Sequence, residues 1–124
     1  MVETAEEFIL RKQSLIREGK AFTGKLKDIG REGRFGFKII GATYMKQNNS
    51  RHKIFSFERL EINLLEGKHH YGNMSLGNVE YQIGYYIIGK DGRSWRWGQY
   101  CPLIPKDDLN RLLKKAKEER TLLD

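Results

Sequence analysis

The stretch from Phe22 to Tyr100 constrains the fold more than any other part of the chain. β-branched and aromatic runs alternate there with Gly, Asn and Asp breaks, the pattern of strands joined by turns. Strands are expected near 22–29, 34–46, 53–65, 79–88 and 93–100. Gln47-Asn48-Asn49-Ser50 reads as a polar turn, and 66–78, with Gly67, Gly72, Asn73 and Gly77, as a longer connection.

The turn signal Gly89-Lys90-Asp91-Gly92 fixes the pairing of the last hairpin, because loop length sets register. A two-residue Asp91-Gly92 loop pairs Tyr85 with Gly98 and Ile87 with Arg96. A three-residue loop pairs Ile87 with Trp95 and Tyr85 with Trp97. The second register gathers Tyr81, Ile83, Tyr85, Ile87, Trp95 and Trp97 on one face, so it is the expected one, with that face in the core.

A helix is expected on each side of this region. Thr4 with Glu7 three residues on forms a capping box, and Gly19 ends the first helix. Ala5, Phe8, Ile9, Leu15 and Ile16 share one face of it, with Glu6, Arg11, Gln13 and Arg17 elsewhere. Pro105 suits the first position of the second helix. Asp107 and Asp108 then sit in its first turn, Lys114, Lys115 and Lys117 lie later, and Leu109, Leu112, Leu113 and Ala116 follow helical spacing. The expected class is mainly β / α+β: a five-stranded antiparallel OB-like barrel, or a strongly curved sheet, flanked by N- and C-terminal helices. The chain has 124 residues, which suits one domain over 1–124, with helix in 1–20, barrel or sheet in 22–101 and helix in 105–122.

Cys101 is the only cysteine, which excludes an internal disulfide and fits a reducing compartment. The start of the chain carries Glu3, Glu6 and Glu7 where a signal peptide is basic, and no apolar run reaches membrane-span length. A cytoplasmic protein without a membrane partner is therefore expected. The net charge of +7 is concentrated: residues 21–58 hold eight bases against three acids, a local excess of +5. Clustered cations are what phosphate-directed binding uses.

Within that segment, Thr23-Gly24-Lys25-Leu26-Lys27 leads to Gly33-Arg34-Phe35-Gly36-Phe37. This resembles the start of cold-shock domains, small OB-fold barrels that bind single-stranded RNA and DNA. Phe55 and Phe57 sit where a second aromatic motif of that family follows, and Leu76 to Ile83 is similar to its fourth strand. Asp28 stands where the family places a stacking tryptophan, and Lys38 where it places an inward aliphatic residue. The resemblance implies that Phe35 and Phe37 stack on bases.

Other chemistry finds little support in the residue pattern. His52, His69, His70 and Cys101 lack metal-ligand spacing, so neither a metal nor a cofactor is expected. Cys101 has no identifiable base. Gly30, Gly33 and Gly36 lack the helix start and Lys-Ser/Thr pair of a phosphate loop. The leading expectation is non-catalytic binding of single-stranded nucleic acid, with Phe35, Phe37, Phe55 and Phe57 stacking and Lys25, Lys27, Arg34 and Arg51 on phosphates. Two alternatives stay open. One is an α+β module that binds another protein through an edge strand or helix face. The other is a small-ligand pocket inside a curved sheet lined by Tyr85, Tyr86 and Trp97.

Overall fold

A computed structural model describes residues 2–22, 34–48, 50, 52–66, 75–88, 92, 94–98 and 102–123. Helix α1 (Ala5–Arg17) precedes strands β1 (Arg34–Lys46), β2 (Lys53–Glu66), β3 (Val79–Ile88) and β4 (Trp95–Trp97), and α2 (Lys106–Glu118) follows them. The strands form one antiparallel sheet in the order β1-β2-β3-β4, so every strand pairs with its neighbour in sequence. The result is an α+β fold, a strongly curled four-stranded half-barrel flanked by the two helices. No helix among the described residues is long and apolar enough to cross a membrane.

The curl has a local cause. β1 and β2 keep register over long strands only by two shifts, one at Ile40 on β1 and one at Asn63 on β2. Such bulges bend the strand and increase its twist. Four strands, not five, are present among the described residues. Of the expected first strand, Phe22 makes an isolated antiparallel bridge to Lys38, and 23–29 lie outside the described residues.

The last hairpin takes the register that was not expected. Tyr86 faces Trp97, Ile87 faces Arg96 and Ile88 faces Trp95. This puts both tryptophans on the face of Tyr86 and leaves Tyr85 on the other. This register sets Tyr86 and Trp95 against Phe8 of α1, while Tyr81, Ile83 and Ile87 stay exposed on the other face.

The two helices lie on opposite faces. Phe8 of α1 packs against Tyr86 and Trp95, with ring centroids 4.8 and 5.7 Å away, and meets Tyr44 edge-on. Ile39, Ala42, Ile54, Leu60 and Ile62 complete that core. Trp95 Nε1 donates to the Glu3 carbonyl at 2.8 Å, and Gln13 Nε2 to the Ala42 carbonyl at 2.9 Å, which fixes α1 across the sheet. On the opposite face Leu112 and Ala116 of α2 cover Phe55, Phe57 and Tyr85.

Local signals explain both helix ends. Thr4 Oγ1 accepts from the Glu7 amide while Glu7 Oε1 accepts from the Thr4 amide, the expected capping box. Gly19, at φ +71°, closes α1, with the Lys20 amide donating to the Leu15 carbonyl. α2 ends in the same way, but Arg120 holds the left-handed position at φ +60°. Pro105 is the N-cap of α2, one position before the expected one. Asp108 is buried, and its carboxylate accepts from the Asn48 amide and from Arg111, so it ties α2 to the β1–β2 turn.

Candidate functional site

Glu58 of β2 and Gln82 of β3 are direct cross-strand partners in the middle of the sheet. Side chains alternate along a strand, so Glu58 shares its face with Ile54, Ser56, Leu60 and Ile62, beneath α1. Glu58 is 1% exposed. Its Oε1 accepts from Gln82 Nε2 at 3.0 Å and its Oε2 from the Tyr44 hydroxyl at 3.1 Å. Burial pushes the Glu58 pKa up, against the pull of the Gln82 and Tyr44 hydrogen bonds and the Lys12 charge. The same burial raises the Tyr44 and Tyr86 hydroxyls, each with Glu58 as a second cause. Burial also pulls Lys12 down, with attraction from Glu58 opposing it.

Glu58, Gln82, Tyr86 and Lys12 line a hollow of about 300 Å³ that draws residues from α1 and from all four strands. A pocket that four successive strands can all reach must lie on the inside of the curl. Glu58 and Gln82 form the polar floor, and Lys12 enters from α1 with its Nζ 5.4 Å from the Tyr86 ring centroid. Phe37 and Ile39 supply the wall on β1. Trp97 stands over Gly84, where an added Cβ would lie 2.1 Å from the indole, and meets Tyr86 edge-on at 5.1 Å. Phe22 lines the hollow from the opposite edge of the sheet. Phe22 and Trp97 are 57% and 40% exposed, so accessible rings flank a floor in which Gln82 is half-buried and Glu58 buried.

A larger cleft, about 770 Å³, lies between α1, the β1 edge and the end of α2. Several of its polar groups are engaged with one another, since Lys115 pairs with Glu119 at 2.9 Å, Arg59 donates to the Arg120 carbonyl and the Thr43 hydroxyl bonds to Glu119 and Thr121, while the buried Arg59 Nε has no hydrogen-bond partner. The smaller hollow is the better site, because its carboxylate is aimed inward among aromatic walls.

The residues expected to bind nucleic acid do not gather in one place. Phe35 is half-buried beside Phe37, and Phe37 is 4% exposed within the inner wall. Phe55 and Phe57, 0% and 4% exposed, lie on the outer face under α2. The four phenylalanines therefore stand in two separate places, Phe35 and Phe37 on the inner wall and Phe55 and Phe57 under α2, with Phe35 the least covered of them. Arg34 is exposed at the start of β1, while Lys25, Lys27 and Arg51 lie outside the described residues. Of the three expected pocket residues, Tyr86 and Trp97 line the hollow together. Tyr85 does not: it packs on the outer face, with Lys53 Nζ 5.1 Å from its ring.

Sequence reasoning missed Glu58, Gln82, Lys12 and Phe22. A signal for Glu58 existed: it shares strand parity with Ile54, Leu60 and Ile62, which marks a carboxylate set among inward apolar residues. Among the described residues no group of three or more His, Cys, Asp or Glu side chains is placed to hold a metal ion. His69, His70 and Cys101 lie outside them. The groups that line the small hollow offer hydrogen bonding and ring contact. Comparison with protein-family models, with curated proteins and with solved structures finds no match to this chain.

Proposed function

We propose that the chain binds a small organic molecule in the hollow inside the curled sheet. One observation carries this reading: the Glu58 carboxylate is buried at the floor of a hollow whose rim holds the accessible rings of Trp97 and Phe22. Burying an ionisable group costs stability, and aliphatic side chains at Ile54, Leu60 and Ile62 fill the same face without that cost. A few polar groups converging in an otherwise apolar, aromatic pocket are the usual make-up of a small-ligand site.

A ligand-observed NMR screen of small aromatic and heteroaromatic compounds tests the reading. Hits are expected with the wild-type chain, lost in Trp97→Ala and retained in Tyr81→Ser, which changes the outer face only. An empty screen, or hits indifferent to Trp97→Ala, contradicts it.

A second reading, single-stranded nucleic-acid binding on an OB-like, cold-shock-like barrel with a fifth strand, is favoured by one observation. Phe22 and Trp97 are accessible rings near Lys12, and Lys38 is the bridge partner of Phe22. In this reading they replace the covered phenylalanines as stacking platforms, and a base enters the same hollow. Salt-sensitive binding of a single-stranded oligonucleotide that Phe22→Ala weakens supports it. Binding unchanged in Phe22→Ala and Trp97→Ala opposes it.

A further inference from the structure

The two edges of the sheet are not equivalent. On β1 the chain itself lies along the edge: Phe22 bridges Lys38, and the Ala21 carbonyl accepts from the Ile39 amide at 2.8 Å. At the other edge β4 is too short to cover β3. It pairs only with Tyr86, Ile87 and Ile88, and one further bond, from the Gly98 amide to the Tyr85 carbonyl at 2.8 Å, extends that ladder.

Strand geometry says which groups of β3 this leaves open. Alternate residues of an antiparallel strand direct their backbone bonds to opposite neighbours. Asn78 and Ile88 bond to Ile62 and His52 on the β2 side, Tyr85 bonds toward β4, and the register with β2 is unbroken from Val79 opposite Glu61 to Ile87 opposite Lys53. Val79, Tyr81 and Ile83 therefore direct their N–H and C=O groups away from β2. Among the described residues no backbone group pairs with them there. These three residues are 49%, 42% and 40% exposed, and the Tyr81 ring is drawn toward β2, with its centroid 5.6 Å from that of Phe57. Proteins commonly protect such an edge with lysine, proline or a bulge. Residues 79–83, Val-Glu-Tyr-Gln-Ile, carry none of these.

Donors and acceptors alternating at strand spacing pair with another extended backbone, and about five residues of it span this window. Beside Val79, Tyr81 and Ile83 the added strand favours β-branched or aromatic side chains. Beside Glu80 and Gln82 it favours basic or neutral polar ones, because like charges across strands repel. A second copy of this chain does not fit. The twofold register centred on Tyr81 uses all three residues, but it sets Gly77 of one copy opposite Tyr85 of the other, where Gly98 already lies, and Gly77 is held in place by its bond to the Ile62 carbonyl at 2.9 Å. Each copy also carries a net charge of +7. We infer that β3 takes an extended segment of a partner protein, with alternating apolar and non-acidic polar side chains, as an added strand along 79–83. This surface is separate from the hollow under α1 and does not rest on the small-ligand reading.

A phage-displayed random peptide library selected on the full chain tests this, with the most enriched sequence then made as a terminally blocked peptide. Enriched sequences should alternate β-branched or aromatic residues with polar ones. In the free chain the Val79, Tyr81 and Ile83 amides should exchange with solvent faster than those of Glu80 and Gln82, and saturation with the peptide should slow those three. N-methylation at every second peptide position should weaken binding about tenfold, the size of one lost hydrogen bond, and at the intervening positions should change it little. Tyr81→Pro removes the central outward donor without taking a bond from the β2 ladder, and should lose the peptide with its far-ultraviolet spectrum unchanged.

If Tyr81→Pro does not fold, the methylation series decides alone. Slow exchange of the three amides in the free monomer, a bound peptide that leaves them fast, or methylation that weakens binding without alternation overturns the inference. So does a library that yields no alternating sequence. Protection of the same amides that appears only with a concentration-dependent dimer in sedimentation equilibrium assigns the edge to a second copy, and overturns it as well.

Discussion

Four consecutive residues of β2 show how differently the two faces of this sheet are used. Phe55 and Phe57 point outward and are sealed by Leu112 and Ala116 of α2 in a wholly apolar contact. Ser56 and Glu58 point inward and are just as buried, yet one is a hydroxyl and the other a carboxylate. The outer face does what a sheet under a helix ordinarily does, removing apolar area from water. Both faces bury polar groups, but on the outer one Thr43 and Thr121 bond to each other and Asp108 bonds to Asn48 and Arg111, while on the inner one an ionisable carboxyl, Glu58, is buried beside the hollow. Burial alone therefore does not separate structure from function here; what separates them is the chemistry of what is buried.

The largest effect should come from the outer face. Phe55→Ala should cost about 3–5 kcal/mol, since a fully buried ring is replaced by a cavity between sheet and helix. A urea midpoint series measures it, and a loss below about 1 kcal/mol would mean that α2 collapses into the gap. On the inner face, Glu58→Leu should cost about 1–3 kcal/mol, because it strands the buried Tyr44 hydroxyl and the Gln82 amide. Glu58→Gln keeps a partner for one of them and should cost less. A larger loss from Gln than from Leu would break the account of the floor.

The same pair gives a pH signature. Burial raises the Glu58 pKa above its ordinary 4.5, while Tyr44 from β1, Gln82 and Tyr86 from β3 and Lys12 from α1 face the carboxyl. A carboxyl whose folded pKa is raised contributes stability that is whole below the unfolded pKa and lost as the pH rises through the folded one. The Glu58→Gln variant should therefore gain on the wild type as the pH climbs from 4.5 toward neutrality. Parallel urea midpoints that keep a constant difference over that range would contradict the raised pKa.

How much of this was legible in the sequence depends on what each residue's signal had to compete with. Strands at 34–46 and 79–88 and the Thr4 capping box come directly from local pattern, and the structure places them there. Facing was harder. β2 and β3 carry apolar residues on both faces, so a criterion of segregation chose the wrong hairpin register, and the cold-shock resemblance joined Phe35 and Phe37 to Phe55 and Phe57, which lie on the other face. The bulge at Asn63 adds to this, since one extra residue reverses parity along β2. Glu58 went unnoticed because a single glutamate beside an arginine reads as surface until strand parity is followed to Leu60 and Ile62. Lys12 and Phe22 could not be joined to it at all, for that contact depends on how α1 and the sheet edge close over the curl.

Smaller effects sharpen the contrast. Arg120→Gly should stabilise by about 0.5–1 kcal/mol, because glycine takes the left-handed position without steric cost, as Gly19 does at the end of α1. A destabilised variant in a thermal melt would show that the Arg120 side chain contributes more than its backbone costs. Ser56→Ala should be the mildest change on the inner face, within about 0.5 kcal/mol, since the buried Ser56 hydroxyl has no hydrogen-bond partner. A loss above about 1 kcal/mol in the same assay would show that a water holds it.

The most direct measurement uses the two indoles as reporters of one face. Trp95 is tied to the Glu3 carbonyl under α1, whereas Trp97 stands in the hollow over Gly84. In a ¹⁵N spectrum of the full chain recorded against small planar heterocycles, the account predicts that the Trp97 indole signal shifts progressively to saturation while Trp95 moves little. A Trp97 signal that stays fixed while ligand binding is detected by another method would place the site elsewhere and contradict it.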